Sequence, residues 1–133
     1  MNNAVMQQLF NEKKLAELLP PERSDDFFDA LLGDAAEGSF DIKLSFKRYH
    51  PEDKTLHFIL ELHERPGKCL ACNLTYGLPE VFSRHPLIDI KGLVAEIDKL
   101  LGTQATCRDW RLSDTHQVSE ALHQIPLIIT LAD

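Results

Sequence analysis

Phe40, Ile42, Leu44 and Phe46 alternate with polar neighbours, and Leu56, Phe58, Leu60 and Leu62 repeat the pattern. A period of two marks a strand with one buried face. The intervening loop, His50-Pro51-Glu52-Asp53-Lys54, sets a register with Phe46 opposite Phe58, Leu44 opposite Leu60 and Ile42 opposite Leu62. The same register puts Lys43 opposite Glu61 and Asp41 opposite His63 on the other face. A one-residue slip breaks both matches, so the sequence favours this pairing. Pro66-Gly67 then turns the chain into a predicted third strand, in which Leu70, Cys72, Leu74 and Tyr76 continue the apolar face up to Gly77 and Pro79. Residues 40–77 thus read as a three-stranded antiparallel meander.

Residues 1–35 read as helical. The stripe over 5–19 is blurred: Val5, Leu9, Ala16 and Leu19 share a face, Leu15 and Leu18 fall off it, and a restart near Asn11 accommodates both. Pro20-Pro21 stops that helix. In the next, Ser24 is a predicted cap, Phe27, Phe28, Leu31 and Leu32 give a greasy face, and Gly33 ends it. Such a short helix needs a sheet to dock on.

Beyond Pro86, Asp89 is positioned to cap a helix whose stripe is Ile90, Leu93, Val94, Ile97, Leu100 and Leu101, ending at Gly102. A strand is predicted over 106–112 and a short helix over 115–124. Residues 127–131, Leu-Ile-Ile-Thr-Leu after Pro126, are apolar on nearly both sides, as in a central or covered strand. Clustered strands flanked by helices give an α+β fold, a two-layer sandwich of the antiparallel meander plus C-terminal strands packed by helices. One domain over 1–133 is expected, with the helix and C-terminal strand region at 88–133.

The chain of 133 residues carries a net charge of −7. An acidic surface repels nucleic acid and anionic membranes, so neither is an expected partner. No apolar run reaches the ~18–20 residues that span a bilayer, and the first residues lack the features of a secretory signal. Three cysteines leave one over in any disulfide scheme, which points to reduced thiols and a cytoplasmic setting.

Candidate chemistry begins with Cys69 and Cys72. A zinc hook needs both thiolates on one ion through a tight turn, yet the flanking residues look extended, and strand positions three apart point to opposite faces. A redox pair wants a helix just after the first cysteine, and none is predicted there. Cys107 and His85 would complete a Cys3His set, without a second closely spaced pair to support it. Cys69 has Lys68, Arg65 and His63 near it in sequence, with Glu61 and Glu64 opposing. His57 and His63 are ~20 Å apart along one strand, too far to share an ion. His85 lies in a loop with Ser83 and Arg84, without a nucleophile elbow, and Trp110 sits between Asp109 and Arg111.

Phosphate-loop, dinucleotide and metalloprotease signatures are missing. The sequence thus supports a non-catalytic protein-binding or ligand-binding module. Its expected surface is His57, Ile59, Glu61, His63, Cys69, His85 and Trp110. The alternative is a metal-binding or thiol-redox protein built on Cys69, Cys72, His85 and Cys107. No cofactor is expected under the first reading and zinc under the second. A homodimer paired at the sheet is the expected assembly, because one helix layer covers only one face and uncovered apolar surface is commonly shared between copies.

Overall fold

The computed structural model describes residues 2–38, 40–68, 77–86 and 88–132. Among the described residues, five α-helices and five strands follow in the order α1 (Asn3–Leu9), α2 (Glu12–Leu18), α3 (Glu22–Leu32), β1 (Phe40–His50), β2 (Thr55–Glu64), α4 (Leu78–Arg84), α5 (Ile90–Leu101), β3 (Cys107–Leu112), β4 (His116–Ser119) and β5 (Leu122–Leu131). The sheet is antiparallel throughout, ordered β1-β2-β5-β3, with β4 on the same edge of β5 as β3. The fold is α+β, as expected.

The β1–β2 register is the predicted one, from Asp41 opposite His63 to Phe46 opposite Phe58, with a bulge between Phe46 and Arg48. The neighbour on the other edge of β2 is β5, paired from Thr55 to His63. The second edge of β2, which the predicted meander assigned to a third strand ending at Gly77, is thus taken by β5. Residues 69–76 lie outside the described part of the chain. As expected, β5 is central.

The helix predicted over 115–124 is also corrected. His116–Ser119 and Leu122–Leu131 are strands, joined through Glu120 and Ala121. The alternation of β5 runs back through Ile125 to His123, which is buried. A histidine at an apolar position hid the period of two. Pro126 sits inside this central strand without breaking it, because it lies opposite the gap between β3 and β4. Its carbonyl accepts the Ser113 N–H at 2.8 Å, and its missing donor points where no ladder partner is needed.

The N-terminal helix does restart. The Asn2 side chain caps α1, and the Asn11 side chain, accepting from the Lys14 N–H, caps α2. Ser24, predicted as a cap, is not one. The helix begins at Glu22 behind Pro21, whose φ of −55° is already helical, and Ser24 is buried inside its first turns. Gly33 ends α3 with φ of 80°, and the Asp89 side chain caps α5.

The core is one apolar cluster. Phe58, Leu60 and Leu62 of β2, Ile125, Leu127 and Ile129 of β5, and Ile90, Leu93 and Ile97 of α5 are all fully or almost fully buried in it. Phe10, at the end of α1, meets Phe46 and Phe58 with ring centroids 5.3 and 5.0 Å away, tilted and edge-on contacts that aromatic rings favour. The exposed edge of β1 is blunted by side chains. The Asn3 amide accepts the Tyr49 N–H at 2.7 Å and donates to the Tyr49 carbonyl at 2.9 Å, using up groups that would otherwise template strand pairing.

Candidate functional site

With one sheet face in the core, the alternate residues of each strand form the opposite face, and the registers lay them out in cross-strand rows. Nearest the β1–β2 turn, His50, Thr55, Thr130 and Asp109 stand side by side, followed by Arg48, His57, Ile128 and Arg111. Ser45, Ile59 and Pro126 form the middle row. Lys43, Glu61, Gln124 and His116 come next, then Asp41, His63 and Leu122. Ile59, Pro126 and Ile128 are half-buried, which gives a small apolar centre spread over the two middle strands.

Charge on this face is not evenly mixed. At the turn end, the His50 and His57 rings lie 4.2 Å apart, and the Thr55 hydroxyl is 3.0 Å from His57 Nε2. Partial burial holds the His57 pKa below its ordinary value; His50, Lys47 and Arg111 push it the same way, and Asp53 opposes them. Among the described residues neither Arg48 nor Arg111 enters an ion pair. At the far end the Glu61 carboxylate has His63 at 3.3 Å. The Lys43 ammonium, across the ladder from Glu61, reaches instead to Glu12 of α2 at 3.7 Å. Asp41 is held by Arg65. The turn end therefore carries Arg48 and Arg111 against Asp109, and the far end carries Glu61 and Asp41 against Lys43.

A groove opens beside the acidic end. It measures about 640 Å³ and runs between α1–α2 and β1. Phe10, Leu15, Leu19, Leu44 and Phe46 make its walls apolar, while Asn11, Glu12, Lys43, Glu61 and His63 supply a polar rim. That volume falls in the range of small-molecule sites. The sequence pattern put Leu44 and Phe46 on the apolar strand face and Leu19 on the helical stripe, but it did not single out Phe10, left Leu15 off the stripe, and gave no sign of the space between helix and strand. Nor did it single out Arg48, which the bulge between Phe46 and Arg48 sets opposite His57, or Arg111, which the pairing of β2 with β5 and of β5 with β3 brings into the same row.

The structure gathers part of the surface expected from the sequence. His57, Ile59, Glu61 and His63 share the open face. Trp110 does not: its register partner is Ile129, and it packs half-buried against the core. His85 sits at the end of α4, its ring edge-on to Phe27 at 4.8 Å. Cys69 and Cys72 lie outside the described residues. Cys107 is half-buried beside Asp98, whose carboxylate accepts the Cys107 N–H at 2.8 Å. Burial first, then the charge and hydrogen bond of Asp98, raise that thiol to about 12. A thiol so protonated is a poor nucleophile and a poor metal ligand. Among the described residues no group of three or more His, Cys, Asp or Glu is arranged to hold a metal ion, and no helix is long and apolar enough to cross a membrane.

No protein-family model, curated protein or solved structure matches this chain.

Proposed function

We propose that the protein is a non-catalytic protein-binding module that works through its open sheet face, with a second copy of itself as partner. The observation that supports this most is the contrast between the two faces. One packs into the apolar core, with Phe46, Trp110 and Leu112 half-buried at its margins. The other is polar at its ends, with Ile59, Pro126 and Ile128 half-exposed at its centre. An apolar centre inside a polar rim is the anatomy of a protein interface. Sedimentation equilibrium at micromolar concentration tests it. A dimer that Ile59→Asp converts to a folded 15.1 kDa species is the expected result, and a wild-type monomer overturns the homodimer.

The cytoplasmic setting expected from the odd cysteine count belongs to the same reading; recovery of disulfide-linked chain from its native cell would contradict it. The competing metal-binding or thiol-redox reading is tested by metal analysis of protein purified without chelator. Stoichiometric zinc would promote it. A second reading, a ligand-binding module, is favoured by the apolar groove of about 640 Å³ beside β1. The two are compatible, since the groove flanks the open face.

A further inference from the structure

Two strands of the sheet bulge at the turn end of the open face, and each bulge adds a basic residue there. Between Phe46 and Arg48 the register of β1 slips by one, so Lys47 and Arg48 both stand against His57. Regular alternation would have given His57 Lys47 alone and set Arg48 opposite Leu56, on the core face. Between Cys107 and Asp109 the register of β3 slips again, and Arg108 and Asp109 both stand against Thr130. With Arg111 beside Ile128, four exposed cations flank a floor of half-buried residues, His57, Ile128 and Thr130. None of the four enters an ion pair among the described residues. Asp109 is the acid in these rows, and its carboxylate accepts the Trp110 N–H at 2.8 Å. On a chain of net charge −7, cations gathered and left unanswered in this way repel one another and attract anions.

We propose that this end of the face binds a small anion with two or more phosphoryl groups, such as a linear triphosphate. The ligand lies across β2 and β5, between Lys47 and Arg48 on one flank and Arg108 and Arg111 on the other. The flanks are three strand spacings apart, ~14 Å at ~4.8 Å each, a span that suits two anionic groups better than one. Guanidinium forks match phosphate oxygens in pairs, and the Thr55 and Thr130 hydroxyls in the adjoining row are further donors. His57 reports on the site. Burial holds its pKa down, then His50, Lys47 and Arg111, with Asp53 at the turn opposing them. Arg48 also stands against it, while β5 brings only the uncharged Ile128 and Thr130. A bound anion offsets these cations and favours the protonated ring. The site needs one chain only, so it goes beyond the homodimer reading, and its failure would leave that reading untouched.

Isothermal titration calorimetry at constant ionic strength tests the site, with inorganic triphosphate, orthophosphate and a short single-stranded oligonucleotide as probes. Triphosphate is expected to bind once per chain and more tightly than orthophosphate. Arg48→Gln and Arg111→Gln, each shown to be folded by circular dichroism, are expected to weaken it roughly fivefold or more. Lys13→Gln removes the same charge from an exposed position on α2 and is expected to leave the affinity unchanged. In proton NMR spectra of wild type, His57 is expected to titrate at higher pH once triphosphate is bound. No triphosphate binding, equal affinity in all three variants and wild type, or an unmoved His57 overturns the site. Tighter binding of the oligonucleotide than of triphosphate overturns the small ligand in favour of a nucleic-acid strand.

Discussion

The Ser24 hydroxyl accepts the backbone N–H of Ile42 at 2.7 Å, a fully buried bond between α3 and β1 across 18 residues of sequence. It satisfies an amide on the free edge of β1, the edge that has no neighbouring strand. Ser24→Ala strands that amide, and an unpaired buried donor costs about 1–3 kcal/mol. Urea unfolding should show a loss of that size with an unchanged m-value, because the same surface is exposed on unfolding. Loss of under half a kcal/mol would mean that water replaces the hydroxyl.

How much was legible depended on the range of the interaction. Alternation placed β1 and β2 and fixed their register, since a slip would have mispaired both faces of one hairpin. The stripe from Ile90 to Leu101 and its Asp89 cap were equally plain, being local to one helix. Ser24 was misread because a serine near a helix start usually caps, and its actual partner lies in a strand. The pairing of β2 with β5 joins residues 59 to 75 positions apart, so no local signal announced that β5 takes the second edge of β2. The open face was half legible: its β2 residues followed from periodicity, whereas Arg48 came opposite His57 through a bulge after Phe46 that the alternation did not announce, and Arg111 joined their row only through the sheet order.

Arg65 ties three elements together. Its guanidinium donates to the Ala35 carbonyl at 2.7 Å, to Asp25 at 2.8 Å and to Asp41 at 3.0 Å, and its carbon lies 5.4 Å from the centre of the Phe28 ring. Both carboxylates are more than half exposed, so solvent screens the ion pairs and the bond to Ala35 carries much of the value. Arg65→Ala is expected to cost about 1–3 kcal/mol. Arg65→Lys should recover less than half, since an ammonium lacks the planar fork that reaches all three acceptors. Full recovery in the lysine variant, measured by chemical unfolding, would show that charge alone matters.

The pairing of Asp98 with Cys107 predicts a masked thiol. With a pKa near 12, only roughly 3 molecules in 10,000 carry the thiolate at pH 8.5, so alkylation of folded protein should leave Cys107 unmodified. Asp98→Asn keeps an oxygen for the Cys107 N–H and removes the charge, and peptide mapping should then find faster labelling. The sign of the stability effect follows. The folded pKa lies above the ordinary thiol value of 9.0, so the contribution is intact below about 9 and is lost as pH rises toward 12. Wild type should therefore lose melting temperature over that range faster than Cys107→Ala.

His123 is expected to weaken the fold on the acid side. It is buried in β5 between Leu62 of β2 and Gln117 of β4, and burial lowers its pKa from 6.5. A depressed folded value means that the unfolded chain takes up the proton more readily. The neutral ring's contribution is thus present above 6.5 and is lost as pH falls through the folded value. Melting temperature should decline as pH falls below 6.5. His123→Leu keeps an apolar side chain at the position and should flatten that decline; an unchanged slope would assign it to other groups.

The groove beside β1 is expected to take an apolar ligand, and Ala16 gives the means to close it. Ala16 lines the groove from α2 and is exposed. A tryptophan there has room to turn its indole toward Phe10, Leu15 and Phe46 without displacing a core residue. An apolar fluorescent dye such as anilinonaphthalene sulfonate should bind wild type saturably with one site per chain. Ala16→Trp should weaken that binding at least tenfold while leaving the melting temperature unchanged or raised, because buried indole area adds to stability. Equal dye binding in the two proteins would place the dye elsewhere and remove the ligand-binding reading, leaving the open sheet face as the surface through which this protein acts.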